Sequence, residues 1–263
     1  MAMPPRVALV TGAARGIGAA TVAALAADGW RVVAVDRCQD DPALPYHLGT
    51  WEELSRAAAD AGDGVLAVRA DTRDEPALAA AVARAQERWG GLDAVVAAAG
   101  VIAGGVPAWQ LPVAQQDAVL SIDLVGVLTL ARVTVPALLR RPEPRWGRFL
   151  AVASAAATRG LPMLAAYCAA KAGVAGFIRA LAVELGGTGV TANAVSPGST
   201  GTPILAESAR LYGLPGAGSF AAQQPLGRLL RPDEVAAVLA FLAGDGGSAV
   251  TGAVVPVDGG LAL

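Results

Sequence analysis

The sequence predicts an α/β fold in which one domain, residues 1–263, is built on a doubly wound parallel sheet of the Rossmann type. Three observations predict it. Short apolar runs alternate with longer alanine-rich stretches, the pattern of strands and helices on a parallel sheet. The first apolar run leads into a glycine-rich turn that opens a helix. The composition, 54% hydrophobic and 16% charged over 263 residues, supplies one large core and argues against disorder.

Each element follows from the length and pattern of its apolar residues. The strands are short apolar runs, predicted at 6–10, 31–36, 65–70, 93–97, 148–153, 190–195 and 254–257. The helices are longer alanine-rich stretches, predicted at 16–28, 51–61, 74–89, 109–120, 122–140, 163–186 and 232–243. Two stretches break the alternation. Residues 38–50 form an insertion after the second strand, and residues 198–226, rich in glycine and proline, are expected to form a mobile substrate lid.

Charge and composition exclude several classes of function. The net charge of −2 and the pI near 5.5 leave no basic surface typical of nucleic-acid binding. No charge-free apolar run reaches the ~18 residues of a membrane span, and the first strand begins too early for a signal peptide, so we expect a cytoplasmic protein without a membrane partner. The chain has two cysteines and a single histidine, His47. We therefore predict no metal site and exclude a Ser-His-Asp triad.

A glycine-rich turn follows the first strand in the segment TGAARGIG, residues 11–18. Gly12, Gly16 and Gly18 allow the backbone to turn tightly and to approach a pyrophosphate closely. The free N–H groups at the start of the following helix favour an anion. We predict that this turn, with Arg15 and Ile17, binds a dinucleotide; alone, the motif is also compatible with a turn that binds nothing.

Asp36 ends the second strand, where a carboxylate typically binds the adenosine ribose of a dinucleotide. The same carboxylate would repel and crowd a 2′-phosphate, so Asp36 favours NAD over NADP. Arg15 and Arg37 would partly offset that repulsion, which keeps NADP as the second choice.

Further cofactor contacts are expected at the ends of later strands. Asp71 and Thr72 follow the third strand and are candidates for the adenine, although a plain turn explains them equally well. The small residues of AAAG, 97–100, would let the chain pass close to a ribose at Ala98 and Gly100, or would serve tight packing. The carboxyl ends of parallel strands form the ligand crevice of such sheets, which supports the functional interpretation.

A tyrosine and the only lysine of the chain are four residues apart in AAYCAAKAGVAGF. Tyr167 and Lys171 therefore project from one face of a helix. The ammonium would lower the pKa of the phenol, which alone is a poor base near neutral pH. Ser154 lies at the end of an upstream strand, where its hydroxyl would bind the substrate oxygen. We predict that these three residues form a catalytic group.

The segment PGSTGT follows the sixth strand and is expected to reach the same edge of the sheet. Pro197, Gly198, Thr200 and Thr202 are its predicted cofactor-binding residues. TGAARGIG, Asp36, AAAG, Ser154, YCAAK and PGSTGT occur together and in order. With these motifs the sequence resembles the short-chain dehydrogenase/reductase family over essentially its whole length, including the C-terminal VTGAVVPVDGG.

The resemblance implies an oxidoreductase that transfers hydride between nicotinamide C4 and the carbon of an alcohol or ketone. It implies that Tyr167 is the acid/base, that Lys171 lowers its pKa and holds the nicotinamide ribose, and that Ser154 polarises the substrate oxygen. Two positions depart from the family pattern. Ala98 stands where NNAG is usual, and Asp123 stands where the fourth catalytic residue is normally an asparagine, which leaves the proton relay open.

The insertion 38–50, with Cys38 and the tail AVVPVDGG, resembles the mycofactocin-coupled subgroup of the family. That resemblance implies a tightly held NAD, covered by the insertion, whose electrons pass to the redox peptide cofactor mycofactocin. The alternative is that the insertion is a surface elaboration without a role in retaining the cofactor. His47 is expected to be a packing or surface residue.

The predicted substrate is an apolar secondary alcohol or ketone, because the expected pocket walls are mostly apolar. Those walls include Leu161, Met163, Leu205, Leu211, Tyr212 and Phe220, with Arg159 as the one obvious charge. Two other functions stay open: a ketoreductase that exchanges NAD(P) freely, and a catalytically silent dinucleotide-binding sensor. The family resemblance also implies a homotetramer built through helices 109–140 and 163–186.

Overall fold

The computed structural model describes residues 5–263 of the protein and contains one parallel sheet. Its strands are β1 (Val7–Thr11), β2 (Arg31–Asp36), β3 (Val65–Arg69), β4 (Ala94–Ala97), β5 (Gly147–Val152), β6 (Val190–Pro197) and β7 (Val254–Val257). They are ordered β3-β2-β1-β4-β5-β6-β7, and every neighbouring pair is parallel. The strand order reverses between β1 and β4, which opens a crevice at their carboxyl ends. The predicted fold class is confirmed.

Helices cover both faces of the sheet. They are α1 (Gly16–Ala27), α2 (Trp51–Ala61), α3 (Glu75–Trp89), α4 (Val113–Leu120), α5 (Gly126–Leu139), α6 (Ala165–Glu184), α7 (Pro203–Leu211) and α8 (Pro232–Ala243). One hydrophobic core joins the sheet to α3, α5 and α6, and a second joins it to α1, α2 and α8. Residues of one strand alternate between these cores, since Val7 and Leu9 face one and Ala8 and Val10 the other.

Two of the predicted helices are joined. The sequence predicts separate helices at 109–120 and 122–140, whereas α4 and α5 are connected without a break by a π-helical turn, Ser121–Val125. Such a turn inserts one extra residue into a helix and often occurs at functional sites. It carries Asp123 inward, where the side chain is fully buried.

The predicted lid contains regular structure that the glycine and proline content concealed. Within residues 198–226 the chain forms α7 and a 3₁₀ segment, Ala217–Gln223. Thr202 caps α7, because its hydroxyl accepts a hydrogen bond from the Leu205 amide at 3.3 Å, and Pro203 occupies the first helical position. The mobility of this lid stays a prediction.

Two helical stretches pass a composition test for membrane spans. Val113–Leu139 and Ala165–Glu184 are long and apolar enough to cross a bilayer. Both also contribute one face to a hydrophobic core beside the sheet. Core helices of water-soluble proteins pass the same test, so the finding is weak support for a membrane.

Candidate active site

A cavity of about 690 Å³ lies at the carboxyl ends of the strands, at the point where the strand order reverses. Every predicted catalytic or cofactor-binding residue lines it except Asp123, which is buried beneath its wall. The sheet explains this convergence, because β1, β2, β4, β5 and β6 all end at this edge.

The glycine-rich turn shapes one end of the cavity. Gly12 and Gly16 have φ angles of +66° and +61°, a left-handed conformation that favours glycine. A Cβ at Gly18 would lie 2.0 Å from the Gly12 carbonyl oxygen, so only glycine lets α1 start this close to β1. Within residues 5–263 no side chain caps the N-terminus of α1, and Gly16 and Ile17 line the cavity there. The turn fits a pyrophosphate group.

Asp36 lies at the cavity edge with both carboxylate oxygens engaged by backbone amides. Oδ2 accepts a hydrogen bond from the Ala14 amide at 3.1 Å, and Oδ1 accepts one from the Cys38 amide at 3.1 Å. A carboxylate has about four acceptor sites, so both oxygens keep the capacity to bind ribose hydroxyls. The turn and the strand end are therefore held in a geometry that fits an adenosine ribose.

Arg37 and Asp71 line the cavity within a network of ion pairs. Asp71 contacts Arg73 at 2.7 Å and Arg37 at 3.2 Å. The buried Asp41 contacts Arg37 at 2.8 Å and Arg73 at 3.1 Å. Burial opposes the ionised form of Asp41, but the Ala43 amide and the two arginines hold its pKa below the usual range. The network joins the insertion to the ends of β2 and β3.

The insertion 38–50 crosses the cavity and contributes lining residues that the sequence analysis missed. Tyr46, Leu48 and Gly49 line the cavity. The Tyr46 hydroxyl accepts a hydrogen bond from the Ile102 amide at 2.8 Å, on the far side of the crevice. No local pattern signals this contact, because it joins residues distant in the chain. His47 is a surface residue, as predicted, and its carbonyl accepts a hydrogen bond from Arg15.

A close approach at Gly49 brings the insertion onto the end of the cavity where Asp36 is predicted to bind a ribose. A Cβ on Gly49 would lie 2.8 Å from the Ala14 Cβ and 3.2 Å from the Asp36 Oδ1. Any larger residue would therefore push the insertion away from the glycine-rich turn. Leu44 packs with Val101, Val119 and other buried residues beside α4, which fixes the middle of the insertion on the protein.

Tyr167, Lys171 and Ser154 meet in the middle of the cavity. Ser154 lies two residues after β5, and its Oγ accepts a hydrogen bond from the Ala156 amide at 3.1 Å. The Lys171 Nζ lies 5.6 Å from the centre of the Tyr167 ring and donates to the Val152 carbonyl at 3.1 Å. Desolvation raises the pKa of the Tyr167 hydroxyl. Lys171 and a hydrogen bond with Ser154 lower that pKa, whereas Asp123 raises it.

Asp123 contacts Lys171 directly. Its Oδ2 lies 3.3 Å from the Lys171 Nζ, and its Oδ1 accepts a hydrogen bond from the Val101 amide at 2.8 Å. Burial raises the pKa of Asp123, an effect that Lys171 and the Val101 amide oppose. Burial alone would lower the pKa of Lys171, but the charges of Asp123 and Tyr167 outweigh it and hold that pKa above the ordinary value.

The segment after β6 closes the remaining side. Pro197, Gly198, Thr200 and Thr202 line the cavity, as does Ser199, whose amide donates to the Gln224 Oε1 at 2.7 Å. A Cβ at Gly198 would lie 2.3 Å from that same oxygen. Gln224 thus joins the two ends of the predicted lid and holds the segment in place.

The substrate end of the cavity is mostly apolar. Leu161, Leu205, Tyr212 and Phe220 line it, together with Arg159. Two predicted wall residues do not. Met163 is 37% exposed, and Leu211 lines a small separate pocket, because the turn before α6 and the end of α7 point these side chains away. The remaining walls fit a mainly apolar ligand.

Comparisons with known proteins agree with this geometry. A family model described as enoyl-(acyl carrier protein) reductase matches residues 12–262. The cis-4-hydroxycyclohexanecarboxylate dehydrogenase of Sinomonas cyclohexanicum is 41% identical over 98% of this chain and 97% of its own. An uncharacterized NAD-dependent oxidoreductase of Mycobacterium tuberculosis (strain ATCC 25618 / H37Rv) is 37% identical over 97% of this chain and 95% of its own.

A solved structure is similar over almost the full length. The carveol dehydrogenase from Mycobacterium avium, crystallised in complex with NAD, superposes with a TM-score of 0.92 at 32% identity, covering 98% of each chain. The chain belongs to the short-chain dehydrogenase/reductase family. The predictions of an oxidoreductase acting on CH–OH groups and of NAD as its cofactor are thereby confirmed.

Proposed function

We propose that this enzyme oxidises an apolar secondary alcohol, keeps its NAD bound between turnovers beneath the insertion 38–50, and passes the electrons to mycofactocin. The observation that carries the proposal is the closure of the insertion over the cavity. Tyr46 bridges to Ile102 at one end, and Asp41 pairs with Arg37 and Arg73 at the other. A cofactor under a cover tied on both sides leaves only after these contacts break.

The catalytic chemistry is proposed for residues at the centre of the cavity. NAD, when bound, supplies the hydride acceptor for alcohol oxidation and the donor for ketone reduction. Ser154 holds the substrate oxygen by a hydrogen bond, and Tyr167 takes the hydroxyl proton as the alcohol becomes a ketone. Lys171 favours the phenolate form of Tyr167 and has a free N–H for a ribose hydroxyl. Reduction runs through the same groups with the proton moving from Tyr167 to the substrate oxygen.

Retention of the cofactor is tested by identifying the nucleotide that the protein carries. The protein is purified without added nucleotide, desalted and denatured, and the released material is identified by chromatography and mass. We expect NAD in near-stoichiometric amount. A protein that emerges empty and turns over free NAD would overturn the retention and leave a ketoreductase that exchanges its cofactor. Recovery of NADP would contradict the role given to Asp36.

The cover itself is tested by breaking its buried ion pairs. Asp41→Asn keeps the size of the side chain but removes the charge that Arg37 and Arg73 share. Breaking a buried pair of this kind costs about 3–5 kcal/mol, so NAD should be released at least about tenfold faster. Asp233→Asn is the control, because its pair with Arg231 is exposed on α8. Equal release from both variants would show that the cover does not retain NAD.

The electron acceptor is tested by single and multiple turnover. With NAD retained, the alcohol should reduce the bound cofactor once. Further turnover should then require mycofactocin or an artificial acceptor to reoxidise the bound NADH. Added free NAD should not restore turnover. Sustained turnover with free NAD alone would contradict the coupling to mycofactocin.

A carboxylate-bearing cyclic alcohol is a second candidate substrate. Arg159 is the one charged side chain among residues 5–263 that lines the apolar substrate end, and a relative acts on a hydroxycyclohexanecarboxylate. If Arg159 binds a carboxylate, 4-hydroxycyclohexanecarboxylate should give a much lower KM than cyclohexanol, and Arg159→Met should abolish only that difference. A lower KM for cyclohexanol in the unaltered enzyme would favour the uncharged substrate.

We also propose a cytoplasmic homotetramer formed through α4, α5 and α6. Apolar side chains exposed on or beside these helices support it: Trp109, Val113, Val125 and Val183 are 84%, 70%, 49% and 82% exposed. Apolar surface of this extent is typical of subunit contacts. Sedimentation equilibrium tests the assembly, and replacing Val125 and Val183 together by Glu should dissociate it. A monomer at micromolar concentration would contradict the proposal.

A further inference from the structure

We propose that Asp123 is a positioning residue that pairs with Lys171 and partly offsets the effect of the lysine's positive charge on Tyr167. In this way Asp123 sets the pH range of proton transfer to and from the substrate. This inference rests on the proposed function, because it concerns the same catalytic group. It explains what a carboxylate does at a position where the family usually has an amide.

The geometry gives the two carboxylate oxygens different partners. Oδ1 accepts a hydrogen bond from the Val101 amide at 2.8 Å, a contact that an asparagine would keep. Oδ2 lies 3.3 Å from the Lys171 Nζ, an ion-pair contact, and accepts no hydrogen bond from any of residues 5–263. Both side chains are at most 5% exposed, so water screens the pair very little. The second oxygen is therefore the part of Asp123 that differs in effect from an amide.

The pair also determines which partners remain for the Lys171 ammonium. The Lys171 ammonium has three N–H donors; one binds the Val152 carbonyl at 3.1 Å, and a second faces Asp123. The third remains for a cofactor ribose. A Cβ added at Gly100 would lie 3.4 Å from the Asp123 Oδ2 and 3.5 Å from the Lys171 Nζ, so the pair borders the cofactor path.

The electrostatics around Tyr167 are set by few groups. The polar and titratable side chains that face it or its partners are Lys171 and Cys168 on α6, Asp123 on the π-helical turn, Ser154 after β5, Tyr46 on the insertion and Tyr212 beside α7. Of the charged groups that act on Tyr167 itself, Lys171 is the cation and Asp123 is the carboxylate, whereas Glu207 and Arg15 act on Tyr46. Desolvation raises the pKa of Tyr167, Lys171 lowers it, and Asp123 raises it again.

The direction of the effect follows from these charges. Removing the negative charge of Asp123 leaves the full lysine charge beside Tyr167 and favours the phenolate. A charge within about 4–6 Å of a titratable group shifts its pKa by roughly 1–3 units. Alcohol oxidation needs the phenolate, so its rate rises as pH increases through the pKa of Tyr167. Ketone reduction needs the phenol, so its rate falls through the same pKa.

The first test compares pH profiles of kcat/KM in both directions. In Asp123→Asn, the limb attributed to Tyr167 should move to lower pH by about one unit or more in oxidation and in reduction alike. Asp93→Asn is the matched control: Asp93 is buried, accepts from the Val7 amide at 2.8 Å and pairs with Arg141 at 2.7 Å, outside the cavity. It should leave both limbs in place. Unchanged limbs in Asp123→Asn would overturn the proposal.

The second test does not depend on turnover, and it therefore separates a failure of this inference from a failure of the proposed function. Phenolate absorbance near 295 nm is titrated in the protein as purified and in Tyr167→Phe. In the unaltered protein no Tyr167 phenolate should form below the ordinary tyrosine pKa of ~10. A Tyr167 phenolate appearing below that pH would overturn the proposal, whether or not any variant folds. Asp123→Ser provides a smaller uncharged replacement and should show the same downward shift as Asp123→Asn.

Discussion

Tyr167 occupies a site whose surroundings act on it in opposite directions. Desolvation at the cavity wall favours the neutral phenol, while Lys171, one helical turn away, favours the phenolate. The spacing of the two residues along α6 brings the ammonium near the ring without any help from the rest of the fold. The Ser154 side chain completes the group from the end of β5.

Replacing Tyr167 by Phe removes the proposed acid/base and little else. We expect turnover to fall by about 10²- to 10⁴-fold, the usual contribution of such a group, with the retained nucleotide unchanged. Turnover is measured with the best alcohol found, and nucleotide content is measured after denaturation. Cys168→Ala, the next position on α6, is the control and should keep most activity. Normal turnover in Tyr167→Phe would favour the silent sensor over an enzyme.

Asp36 is expected to select between the two nicotinamide dinucleotides. Asp36→Asn keeps an acceptor for the Ala14 amide but removes the charge that would repel a 2′-phosphate. Because a hydrogen bond to a charged group is worth about 1.5–3 kcal/mol, the preference for NAD over NADP should fall about tenfold or more. Affinities are measured by titration after the resident nucleotide is removed. Asp60→Asn makes an equal charge change at an exposed position of α2 and should leave the preference intact. A loss of the preference in Asp60→Asn as well would indicate a general charge effect.

At the scale of elements, the start of α1 depends on its close contact with β1. The backbone of Gly18 lies so near the Gly12 carbonyl that a methyl group would have to displace the helix. The proposed pyrophosphate-binding turn and the packing of α1 against β1 therefore depend on the same residue. A local motif of eight residues thus carries both a structural and a binding requirement.

Gly18→Ala should abolish nucleotide retention and destabilise the fold. The expected loss is about 2 kcal/mol or more, since overpacking typically costs 1–3 kcal/mol. Gly176→Ala is the matched control, because a Cβ on this exposed residue of α6 would meet nothing within 4 Å. That variant should gain about 0.5–1 kcal/mol from helix propensity. Chemical denaturation measures the stability of both variants, and the nucleotide content measures retention. Retention of NAD by Gly18→Ala would contradict the proposed contact.

Most elements could be predicted from the chain, and the exceptions have physical reasons. The short apolar runs identify β1 to β7 within one or two residues at their ends. The helix α7 was missed because neighbouring glycines and prolines masked a clear start signal at Thr202 and Pro203. The π-helical turn was missed because apolar periodicity alone cannot show one extra residue inside a helix.

At the scale of the whole molecule, the last strand is fastened through one buried side chain. The Asn193 Nδ2 on β6 donates to the Val250 carbonyl at 2.8 Å, and its Oδ1 accepts from the Ala253 amide at 3.1 Å. These bonds add to the backbone hydrogen bonds from the Gly252 amide to the Ala192 carbonyl and from the Ala194 amide to the Ala253 carbonyl, just before β7 begins. The only asparagine of the chain therefore joins the C-terminal segment to the sheet.

Asn193→Ala should destabilise the whole fold by about 3 kcal/mol, because it leaves two partly buried backbone groups, the Val250 carbonyl and the Ala253 amide, without their side-chain partner. The Tm should fall by roughly 5–10 °C. Thr191→Val is the control on the same strand: the Thr191 hydroxyl is buried and has no hydrogen-bond partner in the part of the chain that the structure describes, so its removal should be neutral or stabilising. Calorimetry at a fixed nucleotide content measures both. Equal stability of Asn193→Ala and the unaltered protein would show that the segment is held elsewhere.

The amino-acid sequence by itself determined the doubly wound sheet, the glycine-rich turn, the place of Asp36 at the end of β2 and the Tyr167–Lys171 pair. Each of these depends on periodicity or spacing between near neighbours, which a linear chain displays directly. Only the tertiary structure decided that Asp123 pairs with Lys171, that Tyr46 reaches Ile102, and that Asp41 joins the insertion to two arginines. Those contacts join residues on separate elements, and their distances are fixed only when the sheet and its helices are packed.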